Sequence, residues 1–186
     1  MILTGPEIAR ETAAGRVTID PFDPSRVEPN SYGVHLGPIL LTYVDPVLAP
    51  DRPPRHRATG LPPEGRTLLP ARLYLGHTLE VMGSSCYAAT LYACRSVSTL
   101  GIWITYSAPL GHTGAIVAWT LEIRVAHPVV VHPGMRIGKV AFWRPQGTVE
   151  QYTGRYQGSR TTIASRLAAD FTTTPLEEPP EERAPR

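Results

Sequence analysis

Three clusters in this chain combine residue types that do chemistry. Arg95-Ser96-Val97-Ser98 crowds a guanidinium and two hydroxyls between a strand-like run and Leu100-Gly101. Such a cluster can receive phosphate oxygens, because arginine presents a planar fork of donors while hydroxyls and loop amides add short hydrogen bonds. The same residues equally suit a surface ion pair beside serines that cap a turn. The second cluster centres on Glu122, in a run where Trp119, Leu121, Ile123 and Val125 share one face and Thr120, Glu122 and Arg124 the other. A carboxylate shielded from bulk water can act as a general base, whereas on a solvated face it would pair with a cross-strand arginine. The third, Tyr152-Thr153-Gly154-Arg155-Tyr156-Gln157-Gly158-Ser159-Arg160, is glycine-punctuated and rich in aromatic, amide and guanidinium groups. It reads as an arm or lid over an anionic ligand, or as a basic loop ahead of a frayed tail.

Other chemistries find no support. Zinc-dependent deamination needs a His-x-Glu element and a Pro-Cys-x-x-Cys pair, and the six histidines and two cysteines here give neither that pattern nor structural zinc spacing. No Walker or Rossmann glycine loop is present. The formal net charge of +2 predicts no long basic surface for nucleic acid, which leaves a small anionic ligand. Of 18 cationic residues all but Lys139 are arginine, which suits phosphate recognition or reflects a GC-rich genome. Without a leader or an apolar run approaching the roughly 18 residues of a membrane span, the chain is expected to be cytoplasmic. Cys86 and Cys94 fall eight residues apart in one extended run, too far to be bridged, and read as buried free thiols.

The elements that position these clusters follow from periodicity and punctuation. Thr4-Gly5-Pro6-Glu7 is a capping-box pattern that starts a short helix through Ile8 and Ala9, ending near Gly15. From Tyr32 to Leu36 the period becomes two, which indicates a strand. Residues 45–70, with Pro46, Pro50, Pro53, Pro54, Pro62 and Pro63, read as a long surface excursion without a regular ladder. Strand-like runs follow at 73–75, 78–81, 87–93, 102–106, 115–125, 129–131 and 136–143. Their number and short spacing predict one mainly β domain over residues 1–170, a sandwich or jelly-roll-like barrel with a short N-terminal helix. Residues 171–186, with Glu177, Glu178, Glu181 and Glu182 among prolines, are expected to form a disordered tail.

In order and spacing the chain resembles the dCTP deaminase branch of the dUTPase-like superfamily, from Met1 to about Arg166. The resemblance is carried by Met1-Ile2-Leu3-Thr4, Ile19-Asp20-Pro21, Pro29-Asn30-Ser31-Tyr32, Leu36-Gly37, Arg95-Ser96, Leu100-Gly101, Thr120-Leu121-Glu122, Pro133-Gly134-Met135-Arg136-Ile137-Gly138 and Tyr156-Gln157-Gly158. Glu122 lies 21 residues after Gly101, where the family has its catalytic glutamate. The resemblance implies a distorted jelly roll, a homotrimer with active sites between subunits, and a pyrimidine nucleotide bound with Mg²⁺ on its phosphates. It also implies hydrolytic deamination of cytosine without zinc. Glu122 would then be the base, with the Ser96 hydroxyl and the Ala108 backbone positioning water. Arg95, Ser96 and Ser98 would meet the phosphates, His112 would stand where the family contacts the sugar, and Tyr152, Arg155, Gln157 and Ser159 would close from the arm.

Departures from the family gather around the ligand. Arg95-Ser96-Val97-Ser98-Thr99-Leu100-Gly101 is one residue shorter than the family's motif and lacks its second arginine. His112 replaces the aspartate for the 3′-hydroxyl, Gly33 and His35 replace an aspartate and an arginine of the first strand, and Ser159 replaces the arm's second glutamine. Such substitutions point to an altered substrate: a dCTP-like nucleotide, CTP, CMP or a modified cytosine nucleotide. Two alternatives stay open, a non-catalytic nucleotide-binding or sensing homologue and a dUTPase-type pyrophosphatase; Gly33 argues against the second, and Glu122 in register against the first.

Overall fold

The computed structural model describes residues 1–105 and 108–171. Helix α1 (Gly5–Ala13) has Pro6 in its first turn, where a missing amide hydrogen costs nothing. It ends ahead of Gly15, whose φ of 71° lies in the left-handed region that favours glycine. The expected capping box does not form: Thr4 makes no side-chain cap bond, and Glu7 pairs with Arg10 one turn later. The helix is held instead by the fully buried Ile8 and by Glu11, whose carboxylate accepts from Arg16 Nε at 2.6 Å and from the Tyr87 hydroxyl at 2.8 Å.

The strands that follow are β1 (Val17–Asp20), β2 (Val27–Glu28), β3 (Ser31–His35), β4 (Ile39–Tyr43), β5 (His56–Gly60), β6 (Arg66–Leu68), β7 (Tyr74–Ser84) and β8 (Ala88–Ala93). After helix α2 (Arg95–Thr99) come β9 (Ile102–Trp103), β10 (Leu110–Gly111), β11 (Ile116–Val125), β12 (Val129–Val131) and β13 (Arg136–Trp143), and then helix α3 (Ala168–Phe171). All pairings are antiparallel. One sheet runs β5-β4-β7-β11-β9, with β1 also on β7; a second runs β10-β8-β13-β3-β2, and β12 pairs with β6 alone. Met82, Leu121 and Ile123 from the first sheet and Val34, Leu91, Val140 and Phe142 from the second form one buried core. This is a mainly β architecture of the kind that the strand spacing predicts and, as a distorted jelly roll, that the family resemblance implies.

Four local expectations are corrected. Residues 45–70 are not wholly irregular, because β5 and β6 lie within them. Their ladders avoid the prolines: Pro46, Pro50, Pro53 and Pro54 precede β5, while Pro62 and Pro63 separate the two strands. The runs at 73–75 and 78–81 are one eleven-residue strand, β7, which Gly76 and Gly83 do not interrupt. Gly83 is needed there, since a Cβ on it would fall 1.8 Å from the Ala115 carbonyl oxygen, while one on Gly76 would press against the Ile123 side chain at 3.0 Å. Of the strand expected at 102–106, only residues 102 and 103 form β9, beyond which the Ile104 carbonyl accepts from Glu122 N; residue 106 lies outside the described residues. Cys86 and Cys94 are free but only half-buried, and they flank β8 instead of lying in it. The tail from residue 172 onward lies outside the described residues, and no described helix is long and apolar enough to cross a membrane.

The Glu11 cluster generates a test of acid stability. Hydrogen bonds from Arg16, and then from Tyr87, hold the Glu11 carboxyl at about 2 against an ordinary 4.5. A folded-state pKa below the unfolded one contributes stability above pH 4.5 that is lost as pH falls toward 2. Glu11→Gln should therefore melt below the parent at neutral pH, and the two melting temperatures should converge through that window, as followed by circular dichroism.

Candidate active site

The chemistry of the site starts from β11. Its alternation places Leu121, Ile123 and Val125 in the core and leaves Thr120, Glu122 and Arg124 half-buried on the opposite face. A bulge between Ala118 and Thr120 breaks its register with β7. Bulges free ladder groups and re-aim side chains, and here two amides are redirected: Trp119 N donates to the Thr78 hydroxyl at 2.9 Å and Ala118 N to the Ser159 carbonyl at 2.7 Å. Past the bulge, Glu122 lies opposite Leu75, and its own amide donates to Ile104 O at 2.8 Å. The carboxylate therefore rises from a strand fixed on both edges.

A cavity of about 510 Å³ opens over this face, within the range of ligand pockets. Glu122, Thr120, Ala118 and Trp119 form its floor, and Thr105 and Ala108 one side. Leu73, Leu75 and Tyr43 form an apolar end, and Gly111, His112 and Tyr152 the other. The His112 and Tyr152 rings stack with centroids 5.7 Å apart and planes 15° from parallel. Gly111 is fixed by its neighbour, since a Cβ there would fall 2.4 Å from the Trp119 ring. The Trp119 ring is itself held by an indole hydrogen bond to Met82 O at 3.2 Å.

The remaining wall is the arm. Tyr152 N donates to Thr113 O at 2.8 Å, Ile163 N to the Thr120 hydroxyl at 3.2 Å, and Ser165 N to the Tyr43 hydroxyl at 3.0 Å. Tyr156, Ser159, Ile163, Ala164 and Ser165 all face the cavity.

The residues singled out in the sequence thus divide into three groups. Glu122, Ala108, His112, Tyr152 and Ser159 line one cavity. Gln157 and Arg155 belong to the arm but spend their donors within the chain: Gln157 Nε2 binds Gly114 O at 2.7 Å, while Arg155 binds Arg166 O at 2.6 Å and pairs with Asp170. Arg95, Ser96 and Ser98 sit exposed on α2 and do not line the cavity. Their segment is a helical turn anchored by buried Val97, not the open loop expected, and Val97 N and Ser98 N both donate to Cys94 O. The apolar end contributed by Tyr43, Leu73 and Leu75 was not singled out, because these residues are distant in sequence and only the β4-β7-β11 order brings them to Glu122. No group of three or more His, Cys, Asp or Glu side chains among the described residues could hold a metal ion.

With this geometry in hand, comparison with known proteins gives a consistent result. A family model described as dCTP deaminase-like matches residues 2–145. A protein of Rhodopirellula baltica named dCTP deaminase is 37% identical over 161 residues, covering 86% of this chain and 80% of that one. One of Cytophaga hutchinsonii named dCTP deaminase, dUMP-forming, is 36% identical over 172 residues, covering 92% and 99%. Among solved structures, the 2′-deoxycytidine 5′-triphosphate deaminase of Agrobacterium tumefaciens superposes with a TM-score of 0.62 at 19% identity. That match covers 77% of this chain and about half, 48%, of the other, and shows the likeness of fold.

Proposed function

The chain belongs to the dCTP deaminase-like family, and from that premise we propose that it hydrolyses the exocyclic amino group of a cytosine nucleotide, with Glu122 as the general base and without zinc. The observation that carries this reading is the half-buried Glu122 in the lining of a largely apolar cavity that it shares with Ala108 and the stacked His112 and Tyr152 rings. A flat base suits the space between Trp119, Leu75 and the arm, and the carboxylate then stands where water must be activated. Glu122 takes a proton from that water as its oxygen adds to C4. That proton passes to N3 and stays there; the new C4 hydroxyl then gives its own proton through Glu122 to the departing nitrogen as the C4–N bond breaks and C4=O forms, so that cytosine and water yield uracil and ammonia.

The phosphates need cations that this cavity does not supply. Arg95, Ser96 and Ser98 carry the matching donors on α2, exposed and outside the cavity, so we assign them to the active site of a neighbouring subunit in a homotrimer. Each site would combine one subunit's Glu122, Ala108, His112 and arm with another subunit's Arg95, Ser96 and Ser98. Mg²⁺ would be held by the substrate's phosphate oxygens, since the described residues offer no cluster of three ligands, and would neutralise their charge. The two free thiols fit a reducing, cytoplasmic setting.

The His112 ring is neutral or cationic where the family presents a carboxylate, and its stack on Tyr152 gives the sugar a broad aromatic wall. This favours a sugar or nucleotide other than the deoxyribose of dCTP. The name of the Cytophaga relative favours a second reading of the product, in which deamination is joined to loss of pyrophosphate and the chain releases a nucleoside monophosphate.

Glu122→Gln keeps shape and hydrogen bonding but removes the base. Ammonia release should fall by about 10²–10⁴-fold, while light scattering still reports a trimer and nucleotide binding persists; a variant that turns over like the parent would contradict the mechanism. His112→Asp should raise the ratio of deoxyribo- to ribonucleotide turnover, and an unchanged ratio would refute the sugar contact.

A further inference from the structure

A buried imidazole that does not line the cavity reaches its wall through one hydroxyl. His77 is 6% exposed and Thr162 likewise, and His77 Nδ1 lies 2.8 Å from Thr162 Oγ1. The Thr162 hydroxyl donates to Ile39 O at 3.3 Å. The ring can occupy this site only because residue 37 is glycine: a Cβ there would fall 2.3 Å from His77 Nε2. Gly37 also donates its amide to His77 O at 2.8 Å, so the imidazole is gripped on two sides.

The position of His77 gives this bond its consequence. In the β7-β11 register His77 is the cross-strand partner of Thr120, the first residue past the bulge. The arm binds both members of that pair in succession, Thr162 to His77 and Ile163 N to the Thr120 hydroxyl at 3.2 Å. Four residues earlier on the arm, Ser159 O takes the Ala118 amide that the bulge releases. The bulge and His77 together form a seat, and the segment seated on it carries Ser159, Ile163, Ala164 and Ser165 into the cavity wall opposite Glu122. Thr162 itself points away from the cavity into the core, as its burial and its bond to β4 show.

We infer that the His77–Thr162 hydrogen bond is a positioning device that seats the arm on β7 and β11 and so fixes the part of the cavity lining that the arm supplies. Its kinetic consequences rest on the deaminase reading of the cavity; the seating itself does not. His77 acts through the arm and touches no substrate, so its contribution falls on the assembly of the binding wall and not on proton transfer.

Two measurements on the full-length protein test this separately. Amide exchange in the ligand-free parent should show Ile163 and Ala118 protected, and Thr162→Val should release Ile163 while β7 and the core strands keep their protection. Thr162→Ser, which retains the hydroxyl, should restore it. If Ile163 exchanges at the rate of an open segment in the parent, or is equally protected in Thr162→Val, the seating is overturned whatever the enzyme's substrate. In the ammonia-release assay, Thr162→Val should raise KM about tenfold, the cost of a buried ring nitrogen left without its hydrogen-bond partner. Its kcat should change far less, and Thr162→Ser should return KM to the parental value. A fall in kcat with KM unchanged, or failure of Thr162→Ser to rescue, would refute the positioning role. A parent without deaminase activity but with a protected Ile163 would overturn the functional reading and leave the seated arm standing.

Discussion

The pairing of β7 with β11 across the bulge at Ala118 and Thr120 is the constraint on which the site depends. At the bulge the amides of Ala118 and Trp119 find partners outside the β7-β11 ladder. The bulge turns one of them to Thr78 and the other to Ser159. Beyond it the strand regains register, so Glu122 is held in a fixed pleat opposite Leu75 while its amide anchors Ile104 and the start of the segment leading to Ala108. The cavity floor, its arm wall and its Ala108 side are therefore consequences of one irregularity in a central strand. Ahead of the bulge, where Gly83 lies opposite Ile116, the close approach of the two strands is what that glycine permits.

Legibility in the sequence followed the range of the interactions. The strand of Glu122 was readable because alternation is local: Trp119, Leu121, Ile123 and Val125 announce the buried face by composition alone. β5 and β6 were hidden because the prolines around them dominate the composition of residues 45–70, although none falls inside either strand. The bulge left no mark, since neither Ala118 nor Trp119 signals it. Nor did the seat for the arm, because His77 and Thr162 are 85 residues apart and nothing local ties them. Arg95 and Ser96 were recognised as residue types, but the helical turn that carries them depends on Val97 reaching the core.

The division of the expected ligand groups between a cavity and a separate exposed turn is the feature that connects fold to function. A floor with one carboxylate and aromatic and aliphatic walls suits a base and a sugar edge but not a phosphate chain. The turn has the opposite character, with an exposed guanidinium and exposed hydroxyls. The proposed function unites them through a second copy of the chain. Of the substitutions that set this chain apart, His112 and Ser159 line the cavity, whereas Gly33 and His35 on β3 and the shortened 95–101 segment do not. They leave the Glu122 strand intact, as expected for a change of substrate with retention of chemistry.

Incubation of the purified protein with Mg²⁺ and a panel of CMP, CTP, dCMP, dCTP and dUTP, resolved by chromatography with ammonia measured in parallel, tests the central claim most directly. Conversion of at least one cytosine nucleotide to its uracil counterpart with matching ammonia is predicted, and the panel names the sugar and shows whether pyrophosphate is also lost. Cleavage of dUTP without any change in a cytosine base, or binding of the nucleotides with no conversion, would contradict the assignment of Glu122 as the base of a deaminase.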